Sequence, residues 1–183
     1  MEESAITLRH ATTEDRDEIA SLIYLSTNFW YAANGKAAIF QGEPSSTRLF
    51  CDVYEDLDPG HCIIAVDEGM KRIVGSCFYH PRETHVSLGI MNSHPNYGGK
   101  GVARRLLKFI TDFADKEGKP VRLVSSAMNL DSFSLYNRAG FLPYSVFQDM
   151  ILEVPKEGIA FHAPDGKRLR DAKREDVPAL QAL

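Results

Sequence analysis

The chain has 183 residues, and its 21 Lys and Arg against 25 Asp and Glu give a net charge of −4. That balance excludes a protein built mainly to grip a nucleic-acid backbone, which requires a clustered positive excess. Hydrophobic residues at 44% and charged residues at 25% exclude a disordered chain and suit one sizeable folded domain with room for an appendage.

No run approaches the roughly 20 apolar residues of a membrane helix, so no membrane contact is expected. The acidic start, Met1-Glu2-Glu3-Ser4, lacks the basic and apolar regions of a signal peptide, and a cytoplasmic location follows by default.

In chain order, Ile6 to Ala11 alternates apolar and polar residues and predicts a short strand. Thr13 opens a helix with Glu14 and Asp15 in its first turn and an apolar face through Ile19, Leu22 and Ile23. After the aromatic stretch Phe29-Trp30-Tyr31, Ser45-Ser46-Thr47 offers a cap for a second helix through Leu49, Phe50 and Val53, ending near Asp58-Pro59-Gly60. Cys62–Val66 and Ile73–Tyr79, joined by Asp67-Glu68-Gly69-Met70-Lys71, predict a hairpin. A third run, Thr84–Asn92, must stop or splay at Ser93-His94-Pro95, because proline has no donor for a ladder. Val102, Leu106, Leu107, Ile110 and Phe113 lie at helical spacing up to Gly118. A strand at Val121–Met128, a short helix at Asp131–Ala139 and a last strand around Val146–Val154 follow. The order β-α-α-β-β-β-α-β-α-β predicts a mixed sheet with helices on both faces. A doubly wound dinucleotide fold would alternate from the start.

Cys51, Cys62 and Cys77 are odd in number and form no Cys-x-x-Cys pair, so neither a disulfide framework nor a zinc site is expected. All three lie in apolar runs and read as buried thiols. No histidine pair has metal-helix spacing, and no metal is expected.

The most specific segment is Ser93-His94-Pro95-Asn96-Tyr97-Gly98-Gly99-Lys100-Gly101-Val102-Ala103-Arg104-Arg105. A strand ends, small residues turn, and an amphipathic helix begins at once. Free amides at such a helix start attract an anion, and glycines let a phosphate approach the backbone. Lys100, Arg104, Arg105 and Lys108 add positive charge. A Walker loop and the dinucleotide fingerprint are both absent; position 104 is Arg where the latter needs a third glycine.

This segment resembles the acyl-CoA-binding motif of the GNAT acetyltransferase superfamily, Gln/Arg-x-x-Gly-x-Gly/Ala, read here over Gly98-Gly99-Lys100-Gly101-Val102-Ala103. Ser93-His94-Pro95 matches the family's Val-x-Pro approach. Asn129, Tyr136 and Gly140-Phe141 match its second motif. Gly98 stands where the family has Gln or Arg. The resemblance runs over about the first 155 residues and implies an α/β (α+β) fold: a mixed central sheet of six to seven strands, with two strands splayed at the acyl-CoA site.

What the resemblance implies for function is acetyl transfer from acetyl-CoA directly to a primary amine of a small molecule or peptide. The cofactor-binding residues would be Met91, Asn92 and Ser93 along the strand, then Gly98, Gly99, Lys100, Gly101, Val102, Ala103 and Arg104 around the pyrophosphate. Asn129 would bond the pantetheine. Tyr136, on the exposed face of its helix, would be the general acid. The base stays open among Glu83 and His85, His80, His94 and a water chain. Val124 stands five residues before Asn129, where some protein N-terminal acetyltransferases carry Glu, which argues against that subclass. Tyr24, Phe29, Trp30 and Tyr31 either line the acceptor pocket or pack the two N-terminal helices together. A non-catalytic acyl-CoA-binding domain with a sensing or supporting role, and a transferase for a bulkier acyl group, are the competing readings. The oligomeric state, a homodimer included, stays open.

The tail repeats the head. The windows Leu8–Leu22 and Leu169–Leu183 share six identities over 15 residues: the Leu, Arg, Ala, Glu, Asp and final Leu. With a domain at 1–155 and a polar linker at 156–168, residues 169–183 read as the truncated start of a second similar repeat. The alternative is a private C-terminal strand and helix of a single domain.

Overall fold

The computed structural model describes residues 5–158 and 170–181. Two compact units divide the chain, 1–141 and 142–183.

In the first unit, five strands form one sheet in the order β1-β2-β3-β4-β5: β1 (Ile6–His10), β2 (Cys62–Asp67), β3 (Arg72–Pro81), β4 (Val86–Ser93) and β5 (Val121–Arg122). The first four pair antiparallel, and β5 joins β4 in parallel. The hairpin expected from Cys62 to Tyr79 is therefore present, with Ile63 opposite Cys77. Helices cover both faces. The stripe of α3 (Val102–Lys116) packs Val102, Leu106, Leu107 and Ile110 on Val74, Cys77, Tyr79 and Leu88. On the opposite face, α1 (Arg16–Ala33) and α2 (Arg48–Leu57) bring Ile19, Leu22, Ile23 and Cys51 onto Cys62, Ile64, Ile73 and Phe78. Each fully buried Leu or Ile contributes roughly 1.5–3 kcal/mol, so this two-sided burial is what holds the short β1 and the parallel edge in place. The three cysteines are free and buried, and loss of hydration pushes the Cys51 thiol up to about 11.

Helix entry is more intricate than the sequence suggests. A single 3-10 turn, Thr13–Asp15, precedes α1; Asp15 accepts from the Thr12 amide at 2.7 Å and pairs with both terminal nitrogens of Arg9 at 2.7 Å each. The expected Ser-Ser-Thr cap of α2 is not made: the Thr47 hydroxyl donates to the Ala20 carbonyl at 2.6 Å instead, tying the helix start to α1.

Among the described residues the strand count is five, below the six to seven expected. The strand expected at Val121–Met128 stops at Arg122, and Val146–Val154 forms none. A strand exists through its ladder, and a two-residue β5 offers too little edge to hold another strand. Val146, Phe147 and Ile151 are accordingly exposed. The short helix is α4 (Leu130–Arg138).

In the second unit, a 3-10 turn at Arg174–Asp176 leads into α5 (Val177–Gln181). This turn copies the first unit's helix entry. Arg170 pairs with Asp176 at 2.6 Å through both terminal nitrogens, and Asp176 accepts from the Lys173 amide at 2.8 Å. The residue before each turn has nearly the same backbone, φ −117° at Thr12 and −116° at Lys173. Of the expected linker at 156–168, residues 159–168 lie outside the described residues, as do Leu169, Ala182 and Leu183.

Candidate functional site

The site grows from the edge of β4. Its ladder to β5 has two rungs, Val86–Val121 and Ser87–Arg122, and beyond Ser87 no strand pairs with that edge among the described residues. On its other side β4 stays bonded to β3 as far as Ser93 opposite Gly75. From Leu88 to Ser93 the strand thus has one satisfied side and one open side, the splay that Pro95 predicts. Met91 packs toward α3, whereas the amide side chain of Asn92 turns to α1 and donates to the Ser26 hydroxyl at 2.7 Å.

The chain then turns sharply. His94 accepts from the Asn96 amide through Nδ1 at 3.2 Å, and burial, aided by Arg72, lowers its pKa. It holds the turn as a neutral cap. Gly99 and Gly101 take φ of +76° and +75°, a region that L side chains rarely adopt, and a Cβ on either would point into open space. Gly101 is the N-cap of α3, and the first amide bonded back into the helix is that of Arg105, to the Gly101 carbonyl at 3.0 Å. The amides of Gly99, Gly101, Val102, Ala103 and Arg104 have no backbone acceptor among the described residues. They converge at the positive end of a helix dipole, which suits an anion.

Around this nest Lys100 lies over the Tyr97 ring at 4.6 Å, and Tyr97 donates to Asp67 at 2.6 Å. Arg105 is drawn off to the Ile6 carbonyl at 2.9 Å, and Lys108 to Asp112 at 2.7 Å. Lys100 and Arg104 are the exposed cations left near the amides.

Asn129 is the N-cap of α4, its side-chain oxygen accepting from the Ser132 amide at 3.1 Å. Tyr136 is half-buried rather than on the exposed face, packed on the α3-side core and 5.8 Å from the Phe141 ring. Burial pushes its phenol up to about 12, so it holds its proton throughout the physiological range.

Of the three residues singled out for catalysis, Tyr136 stands on α4 and the other two lie between β3 and β4. Glu83 and His85 occupy the β3–β4 turn, where His85 Nδ1 lies 3.1 Å from the Thr84 hydroxyl. A cluster that the sequence did not assemble stands on the α2 side of β3. His80 Nδ1 meets Asp58 at 2.5 Å, and Arg82 bonds both carboxylate oxygens of Asp58 at 2.7 and 2.9 Å. Asp58 had read only as a helix stop. No local signal joins it to a histidine 22 residues away.

The aromatic stretch is divided. Tyr24 stacks on Phe40 and donates to the Gly42 carbonyl at 2.9 Å, fastening the α1–α2 loop. Trp30 and Tyr31 meet edge to face at 5.2 Å, with the Lys36 ammonium 5.7 Å from the Trp30 ring.

Residues 24–141 match the model of the acetyltransferase (GNAT) family. No curated protein matches the sequence. Among solved structures, a GCN5-related N-acetyltransferase from Sphaerobacter thermophilus is 18% identical with a TM-score of 0.61, over 75% of this chain and 44% of that one. An acetyltransferase from Trypanosoma brucei is 18% identical with a TM-score of 0.54, over 81% of this chain and 100% of that one. The NatC complex bound to Gag peptide and CoA contains a chain 19% identical with a TM-score of 0.56, over 76% of this chain and 86% of that one. At these identities the likeness is one of fold. The chain spans 44% of the length of the Sphaerobacter protein and of a relative from Pyrococcus horikoshii.

Proposed function

Because the chain belongs to the acetyltransferase (GNAT) family, we propose that it transfers an acetyl group from acetyl-CoA directly to a primary amine of a small molecule or a peptide. The observation that carries this reading is the continuity of two unsatisfied backbone surfaces, the open edge of β4 and the free amides between Gly99 and Arg104. An extended pantetheine arm adds to such an edge as a strand would, using the backbone of Met91–Ser93. The pyrophosphate then meets the amides of Gly99, Gly101, Val102, Ala103 and Arg104, with Lys100 and Arg104 supplying charge. Gly98 lacks the side chain that Gln or Arg would lay across the loop, and the backbone amides carry the contact without it.

Chemistry at this edge needs an amine without its extra proton, a donor for the oxyanion that develops on the acetyl carbonyl, and a partner for the leaving sulfur. A backbone N–H of β4 suits the oxyanion. Tyr136 is the proposed acid. Its raised pKa makes it a reluctant donor, so it acts by sharing its proton with the sulfur as the C–S bond breaks. Asn129 presents its free amide nitrogen from the cap of α4 toward the pantetheine. A peptide amine stays among the acceptors, in keeping with the peptide and CoA held by the NatC complex.

Replacing Tyr136 by Phe tests the acid role. Expected is a fall in kcat of about tenfold or more with acetyl-CoA affinity held within about twofold. An equal loss in both would make Tyr136 a binding residue.

A further inference from the structure

We propose that His80, oriented by Asp58, takes the proton from the acceptor amine. The inference rests on the transferase reading and names a residue for a step that reading leaves unassigned.

His80 is 6% exposed near the end of β3. Its Nδ1 faces the Asp58 carboxylate, which Arg82 holds by two bonds and keeps below the usual carboxylate range, hence ionised. A carboxylate only accepts, so Nδ1 carries a hydrogen, and in the neutral ring Nε2 presents a lone pair. That nitrogen is buried and has no hydrogen-bond partner among the described residues.

Its position gives the lone pair a use. His80 lies opposite Ser87, the last residue of β4 paired to β5. The ladder between β3 and β4 shifts register between Cys77 and Tyr79, and the ring comes up against β4 at Gly89 in that bulge. A Cβ on residue 89 would stand 2.9 Å from Nε2 and 3.0 Å from the Phe78 carbonyl. Nε2 therefore abuts the backbone of β4 where its free edge begins, and glycine is what admits it. The groups facing the ring are Asp58, Arg82 and Tyr54, whose ring is 4.8 Å away. From β4 come Ser87 and Gly89, neither of which titrates.

A purely structural clamp would account for Nδ1 alone. It would leave a buried acceptor orphaned at a cost of about 1–3 kcal/mol. Orphans of this kind are expected where a ligand or a proton completes them.

In the step itself, the substrate ammonium passes a proton to Nε2, directly or through one water. The freed nitrogen lone pair forms the C–N bond to the thioester carbonyl, the nitrogen gives up its second proton to water, and the C–S bond breaks as the carbonyl re-forms. The departing sulfur shares the Tyr136 proton as the C–S bond breaks and is then protonated from solvent, to which His80 returns its own proton.

The test follows thiol release from acetyl-CoA between pH 6 and 10 with phenethylamine, spermidine and an unblocked tripeptide as acceptors, with acetyl-CoA binding and Tm measured alongside. His80→Gln is expected to lower kcat/KM at pH 7 by about a hundredfold, within the usual range for general-base catalysis, at unchanged acetyl-CoA affinity. The deficit should shrink about tenfold per pH unit as the amine loses its own proton. Asp58→Asn should show a smaller deficit of the same shape. Parallel pH profiles for wild type and His80→Gln, or a pH-independent loss that tracks a fallen Tm, would overturn the assignment. Should the variants fail to fold, 15N-histidine spectra of the wild type decide, since a hydrogen on Nε2 of neutral His80 contradicts the proposal. A wild type that binds acetyl-CoA but acetylates none of these amines contradicts the transferase reading, and with it this one.

Discussion

Arg9 and Asp15 illustrate how much a single pair of side chains decides. Asp15 is 9% exposed, accepts from the Thr12 amide and is gripped by two guanidinium nitrogens; Arg9 is the main cause that draws its carboxyl down to about 2. A group whose folded pKa lies below its unfolded one stabilises the fold above the unfolded value and loses that contribution as pH falls toward the folded value. The window here runs from about pH 4 down to about pH 2. Asp15→Asn is expected to cost about 2 kcal/mol at pH 7 and to flatten the acid limb of the stability curve in that window. An unchanged acid limb, measured by urea unfolding at pH 2.5, 4 and 7, would contradict it. The residues at the glycine turn were legible because the amides, glycines and cations are neighbours in sequence. The Asp58–His80 contact was not, because it is made by folding α2 onto β3 across 22 positions.

Among the elements, apolar periodicity located α1, α2, α3 and the hairpin to within a few residues, since each buries a face against a single sheet. It overreached after Arg122. Side chains of Val146–Val154 carry the pattern of a strand, but a pattern specifies which face would be buried and supplies no partner. In hydrogen exchange, amides of 142–155 are expected to exchange within about tenfold of an unstructured peptide, while those of Ile73–Phe78 are protected by orders of magnitude. Protection across Val146–Val154 would reveal a sixth strand. At the same scale, the Arg170–Asp176 clasp reproduces the Arg9–Asp15 clasp down to the turn it closes. We therefore read residues 170–181 as a second copy of the domain's opening turn. The clasp's reuse with different intervening residues fits a faint sequence repeat, since its bonds use only the Arg, the Asp and one backbone amide.

For the molecule as a whole, the chain's charge of −4 makes a cationic helix start such as that of α3 a local departure rather than part of a basic surface. The account's central claim is that the free amides from Gly99 to Arg104, continuous with the open edge of β4, hold acetyl-CoA. Calorimetric titration of the wild type and of Gly101→Asp with acetyl-CoA tests it most directly. Aspartate at 101 puts a Cβ on a backbone at φ +75° and a negative charge on the anion site, without meeting any neighbour in the core. The account predicts saturable binding of order micromolar by the wild type and loss of at least about a hundredfold in the variant at an unchanged fold. Equal affinity in the two proteins, or none in the wild type, would contradict it.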